Sequence, residues 1–152
     1  MAQLKERRQA GEEYFFSEIY KNTKMGADAI ISLLPHVKDD GLRSAMTMQL
    51  DGYEKYAARA AQALQERGLV AKEENLVARV SARMGMAINT MLDSTTGHIA
   101  EMMIEGSNMG ITDMTKLLND YECKAEGEAA VRLARDVVRF EERNLETLKP
   151  FL

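Results

Sequence analysis

The chain has 152 residues, 45% hydrophobic and 29% charged, which suits one globular domain with its own core and excludes a disordered polymer. Its net charge of −4 at pH 7 argues against nucleic acid as the main partner, because a phosphate backbone rewards clustered Lys and Arg. One basic cluster exists, Lys5, Arg7 and Arg8, but Glu6, Glu12 and Glu13 surround it, so it reads as a solvated helix end.

No apolar run follows the first charges and no stretch approaches the roughly 18 apolar residues of a membrane span. Neither a signal peptide nor a membrane helix is expected, and the chain reads as cytoplasmic. Cys123, the single cysteine, lies in a polar segment with no histidine nearby. It forms no internal disulfide and reads as a plain free thiol rather than a nucleophile.

Pro35 and Pro150 are the only prolines, and apolar residues recur at three- and four-residue steps without β-branched alternation. Helices are therefore expected throughout, in one domain over residues 1–152. The first should run from about Leu4 to Leu34 with Phe16, Tyr20, Thr23, Ala27, Ile30 and Leu34 inward, stopped by Pro35. The second should start at Asp39 or Asp40, suited to a helix N-terminus, and end at Gly68. Its inner face carries Leu42, Gln49, Tyr53, Tyr56, Ala60 and Leu64. The short connection makes these two helices antiparallel neighbours.

A third helical segment is expected from about Glu73 to Asp93, with Val77, Val80, Met84, Ala87 and Met91 on one side. Residues 93–97 read as a break or kink. The next helix should run from about Thr96 to Tyr121, with Gly106-Ser107-Asn108-Met109-Gly110 as a place where it kinks or ends. Residues 119–127 read as a loop, and the last helix runs from about Glu128 to Lys149 with Ala130, Ala134, Val137, Glu141, Asn144 and Leu148 in register.

An internal echo joins the halves. Met25-Gly26 before Leu33-Leu34 matches Met109-Gly110 before Leu117-Leu118 at identical spacing, and Tyr53-Glu54 parallels Phe140-Glu141. Two related hairpins joined by the third segment as a crossover would give this pattern.

That layout, with a carboxylate deep in the last helix, resembles the ferritin-like superfamily. The closing stretch from Glu141 to Leu152 is similar to the end of small bacterial members, where a Glu-x-x-His pair sits on the last helix. His98 to Met114, with Ala100-Glu101-Met102-Met103 and Gly106 through Gly110, resembles their third bundle helix. The resemblance implies an all-α antiparallel four-helix bundle with an additional crossover helix between the hairpins. It also implies iron or manganese held by two Glu-x-x-His pairs and a Glu from each other helix, and a homodimer through helix faces. The chain departs from the metal pattern: Glu141 is followed by Asn144 and Glu54 by Ala57, an amide and a methyl group where imidazoles belong.

Candidate metal ligands remain. Glu54, His98, Glu101, Glu105, Glu141 and Asn144 are those the chain offers, and His98, Glu101 and Glu105 share a helical face. Hairpin spacing from a turn near Lys124 brings Ser107 level with Glu141, so Glu105 is expected near it. The alternative is a polar core layer in which Gln49, Tyr53, Tyr56 or Thr23 hydrogen-bonds Glu141 and Asn144 and sets helix register. His36, beside Pro35, reads as a surface residue. The eleven methionines, Met46-x-Met48 and Met84-x-Met86 among them, read as core filling rather than copper(I) ligands. Gly26 and Gly52 either face each other across the first hairpin or mark kinks. No phosphate loop and no Ser-His-Asp or Cys-His arrangement can be built.

Three functions follow. The first is a ferritin-like protein without the usual di-iron site that acts by binding or assembly. The second is a carboxylate-rich iron or manganese protein with oxidase, peroxidase or metal-handling activity. The third is a purely structural bundle.

Overall fold

A computed structural model describes residues 2–71, 94–120 and 128–152, the side chains of residues 4–10 excepted. Among the described residues the elements are α1 (Ala2–Leu33), α2 (Asp40–Glu66), α3 (Thr96–Asp120) and α4 (Glu128–Leu148), with 3-10 turns at Leu34–His36 and Lys149–Phe151. The protein is an all-α bundle. The helical segment expected at 73–93 and the loop residues beyond Asp120 lie outside the described residues.

Local chemistry explains the helix ends. Pro35 converts the end of α1 into a 3-10 turn, and Val37 N–H closes it on the Leu34 carbonyl at 3.1 Å. The Asp39 carboxylate accepts from the Leu42 amide at 2.8 Å and caps α2. At the other end Gly68, at φ +74, allows Gly68 N–H to reach Gln65 O and Leu69 N–H to reach Leu64 O, the paired bonds of a glycine-terminated helix. Thr95 precedes α3, its hydroxyl accepting from His98 N–H at 3.3 Å, so the expected break before Thr96 is a helix start. Of the two readings of 106–110, a kink or an end, the end does not occur: α3 runs through both glycines.

Two core clusters set the helix directions. At one end Phe15, Phe16 and Ile19 of α1 pack with Ala60 and Leu64 of α2, Met114 of α3 and Ala130, Ala134 and Val137 of α4. At the other end Ile30 and Leu33 of α1 pack with Leu42 and Met46 of α2, Ile99 and Met103 of α3 and Leu148 of α4. Helices α1 and α4 therefore run one way and α2 and α3 the other. It follows that Ala71 and Ser94, the last and first described residues around the 72–93 segment, lie at opposite ends of the bundle.

The internal echo is present in the burial pattern. Phe15, Phe16, Ile19, Thr23 and Ile30 in α1 correspond, 84 residues on, to buried Ile99, Ala100, Met103, Ser107 and Met114 in α3. Between α2 and α4 the matching shift is 88, pairing Leu42 with Ala130, Met46 with Ala134, Tyr53 with Glu141 and Ala60 with Leu148. The sequence match of Tyr53-Glu54 with Phe140-Glu141 is thus one residue out of register. Tyr53, not Glu54, holds the position that Glu141 holds in the second hairpin.

Three helical glycines create space where large side chains cross. A β-carbon on Gly26 would lie 2.5 Å from the Tyr53 ring, one on Gly52 would lie 2.2 Å from the Phe140 ring, and one on Gly110 would lie 2.2 Å from Glu141 Oε1. Gly26 and Gly52 therefore do not face each other; each seats an aromatic ring from a neighbouring helix. Gly106 differs, with nothing within 4 Å of the added atom. Gly106→Ala should raise stability by about 1 kcal/mol, the ordinary helix-propensity gain, read as a higher denaturation midpoint at unchanged slope.

Candidate functional site

The polar interior is built from all four helices. On α4 the three- and four-residue spacing of Val137, Glu141, Asn144 and Leu148 carries Glu141 and Asn144 into the core, where they are 2% and 5% exposed. From α2 comes Tyr53, whose hydroxyl donates to Glu141 Oε1 at 3.0 Å. Its ring meets Phe140 edge-on at 4.9 Å between centroids, and Tyr56 leans on the same Phe140 at 5.2 Å. Helix α3 contributes buried Ser107 beside the Tyr53 hydroxyl and Gly110 against the Glu141 carboxyl. Helix α1 contributes Asn22, whose amide donates to the Gly110 carbonyl at 3.1 Å.

Gln49 lies one turn before Tyr53 and is also buried, yet neither polar atom of its side chain has a partner. Asn22 Oδ1, Glu141 Oε2 and Asn144 Nδ2 are likewise buried without one. Each such atom, left bare, costs about 1–3 kcal/mol. Among the described residues there are five of them, so together they would rival the whole stability of a domain, about 5–15 kcal/mol.

Electrostatics follow from burial. Desolvation pushes the Glu141 carboxyl up to about 8; the Tyr53 hydrogen bond opposes the rise and the Asp113 charge adds to it. Burial, and then the charge of Glu141, hold the Tyr53 phenol far above its ordinary range. At neutral pH both groups therefore carry their protons, and the layer is uncharged.

The sequence candidates divide sharply. Glu141 and Asn144 belong to this layer. Glu54 faces solvent, three residues before buried Ala57, so those two positions do not present a ligand pair to one ion. Glu101 and Glu105 are on the exposed flank of α3, where His98 Nδ1 lies 3.9 Å from Glu101 Oε2 with both side chains open to water. The expected approach of Glu105 to Glu141 does not occur, because the inward positions of α3 are Met103, Ser107, Gly110 and Met114. Among the described residues no three His, Cys, Asp or Glu side chains come together, so those residues alone do not build a di-iron or di-manganese site.

Of the expected partners of Glu141, Tyr53 alone hydrogen-bonds it. Thr23 instead returns its hydroxyl to α1, to Ile19 O at 2.8 Å and Tyr20 O at 3.1 Å. Sequence reasoning missed Asn22 and Gly110, and it took Ser107 only as a marker of the level of Glu141. The Met25-Gly26 and Met109-Gly110 echo was the available signal, since it places Gly110 and Ser107 at the levels of inward-facing Gly26 and Thr23.

Compared with protein-family models, curated proteins and solved structures, the chain matches none of them. Among the described residues no helix is long and apolar enough to cross a membrane.

Proposed function

We propose that the chain is a ferritin-like bundle protein that acts by binding or assembly, with a hydrogen-bonded polar layer standing where metal-bearing relatives place their ligands. The observation that carries this reading is the division of the six candidate ligands. Glu141 and Asn144 turn inward, Glu141 taking a tyrosine as partner, while Glu54, Glu101 and Glu105 stay in water and His98 lies on the flank beside Glu101. The helix directions support the fold half of the proposal, since hairpins that run up-down and down-up need one long connection, as ferritin-like bundles have. Assembly would take the form of a homodimer through helix faces, with the cytoplasm as the compartment.

Elemental analysis of the purified full chain, with and without added iron or manganese, tests the reading alongside sedimentation. The expected result is a discrete homodimer with no stoichiometric metal. About one or two metals per chain, lost on Glu141→Gln, would overturn it in favour of a carboxylate metalloprotein. A metal-free monomer would leave only a structural role for the polar layer.

A further inference from the structure

The unpartnered polar atoms in the core are not scattered. Asn22 holds the Gly110 carbonyl, Gly110 backs the Glu141 carboxyl, and Glu141 holds Tyr53, whose hydroxyl lies beside Ser107 and Asn144. Along this path lie Asn22 Oδ1, Glu141 Oε2 and Asn144 Nδ2, each buried and bare. Gln49, 3% exposed with both its amide atoms bare, sits one turn from Tyr53 on the level of Asn144, since α2 and α4 run antiparallel with Tyr53 opposite Glu141. Buried polar groups find partners almost without exception.

The bare atoms define what would satisfy them. Gln49 Nε2 and Asn144 Nδ2 donate, whereas Gln49 Oε1 and Asn22 Oδ1 accept, and Glu141 Oε2 brings the only acid. An anion would gain the two NH2 groups but face the amide oxygens, and a cation would gain the carboxyl and amide oxygens but face the two NH2 groups. A small neutral molecule that donates and accepts at once meets all of them. We propose that this layer is a binding site for internal water, a cluster bridging Gln49, Asn144, Glu141 and Asn22 between the four helices. Buried waters take this role, typically with two to four protein partners each. The cluster would also explain how amides are tolerated at core positions of a bundle, and it stands independently of the functional reading above.

Water-to-amide cross-relaxation by NMR spectroscopy, with oxygen-17 relaxation dispersion of the full chain in solution, tests the proposal. The expected result is at least one long-lived internal water, with cross-peaks to the side-chain amides of Gln49 and Asn144. Gln49→Leu with Asn144→Leu should abolish that signal. Absence of any long-lived water in the unaltered protein would overturn the proposal, and that result needs no variant to fold. Retention of the whole signal in a folded Gln49→Leu, Asn144→Leu chain would also overturn it. So would a co-purified organic molecule found by native mass spectrometry and displaced with loss of the same amide shifts.

Discussion

Replacing Glu141 by glutamine should make the protein more stable at pH 8 and above, and should remove most of a pH dependence that the natural chain carries. The carboxyl ordinarily ionises near 4.5, and burial lifts that to about 8 in the folded protein. Between those values the unfolded chain has released a proton that the folded chain still holds, so stability falls as pH rises through the window. Below about pH 4.5 the penalty is absent, and above about pH 8 it is complete. The window of about 3.5 pH units corresponds to roughly 5 kcal/mol at most. Glutamine keeps an oxygen to accept from Tyr53 and has no proton to lose, so the difference between the two proteins should widen from pH 5 to pH 8. Denaturant melts at pH 5, 6, 7 and 8 read this directly. Parallel curves for the two proteins would mean that Glu141 is ionised, and stabilised by something beyond Tyr53, in the folded state.

Gly52→Ala should destabilise by about 2 kcal/mol, although alanine is the better helix former by about 1 kcal/mol. The added carbon would lie 2.2 Å from Phe140, and that ring is held between Tyr53 and Tyr56. Its displacement would disturb the seat of Tyr53 and, through it, the bond to Glu141. Gly106→Ala serves as the opposite control, because it makes the same chemical change where the new methyl meets nothing. If both substitutions moved the denaturation midpoint equally, backbone propensity alone would govern these helices, and the close crossing at Gly52 would carry no energetic weight.

Helix spacing made much of the fold legible in advance. All six inward positions expected for the last helix, from Ala130 to Leu148, are buried, and Asp39, Gly68 and Pro35 end their helices through capping, positive φ and a missing N–H. Such features depend on residues within a turn or two of each other, so composition and spacing suffice to read them. The same local reading left Gly106 to Gly110 as a place where the helix could kink or end, and the end does not occur. Locally these residues disfavour a helix, but packing of Met103, Ser107, Gly110 and Met114 against the bundle outweighs that cost.

The site was legible only in part. Sequence register alone determined that Glu141 and Asn144 enter the core, and that no histidine follows Glu54 or Glu141 three residues on. Tertiary structure decided which groups meet them. Tyr53 reaches Glu141 across 88 positions, and Asn22 reaches Gly110 across 88 as well. A one-residue change of register between α2 and α4 sends Glu54 to water and Tyr53 to the centre. Periodicity sets which face of a helix is apolar; the rotation and height at which two helices then lock depend on ridges, grooves and the space glycines leave, which no single helix contains.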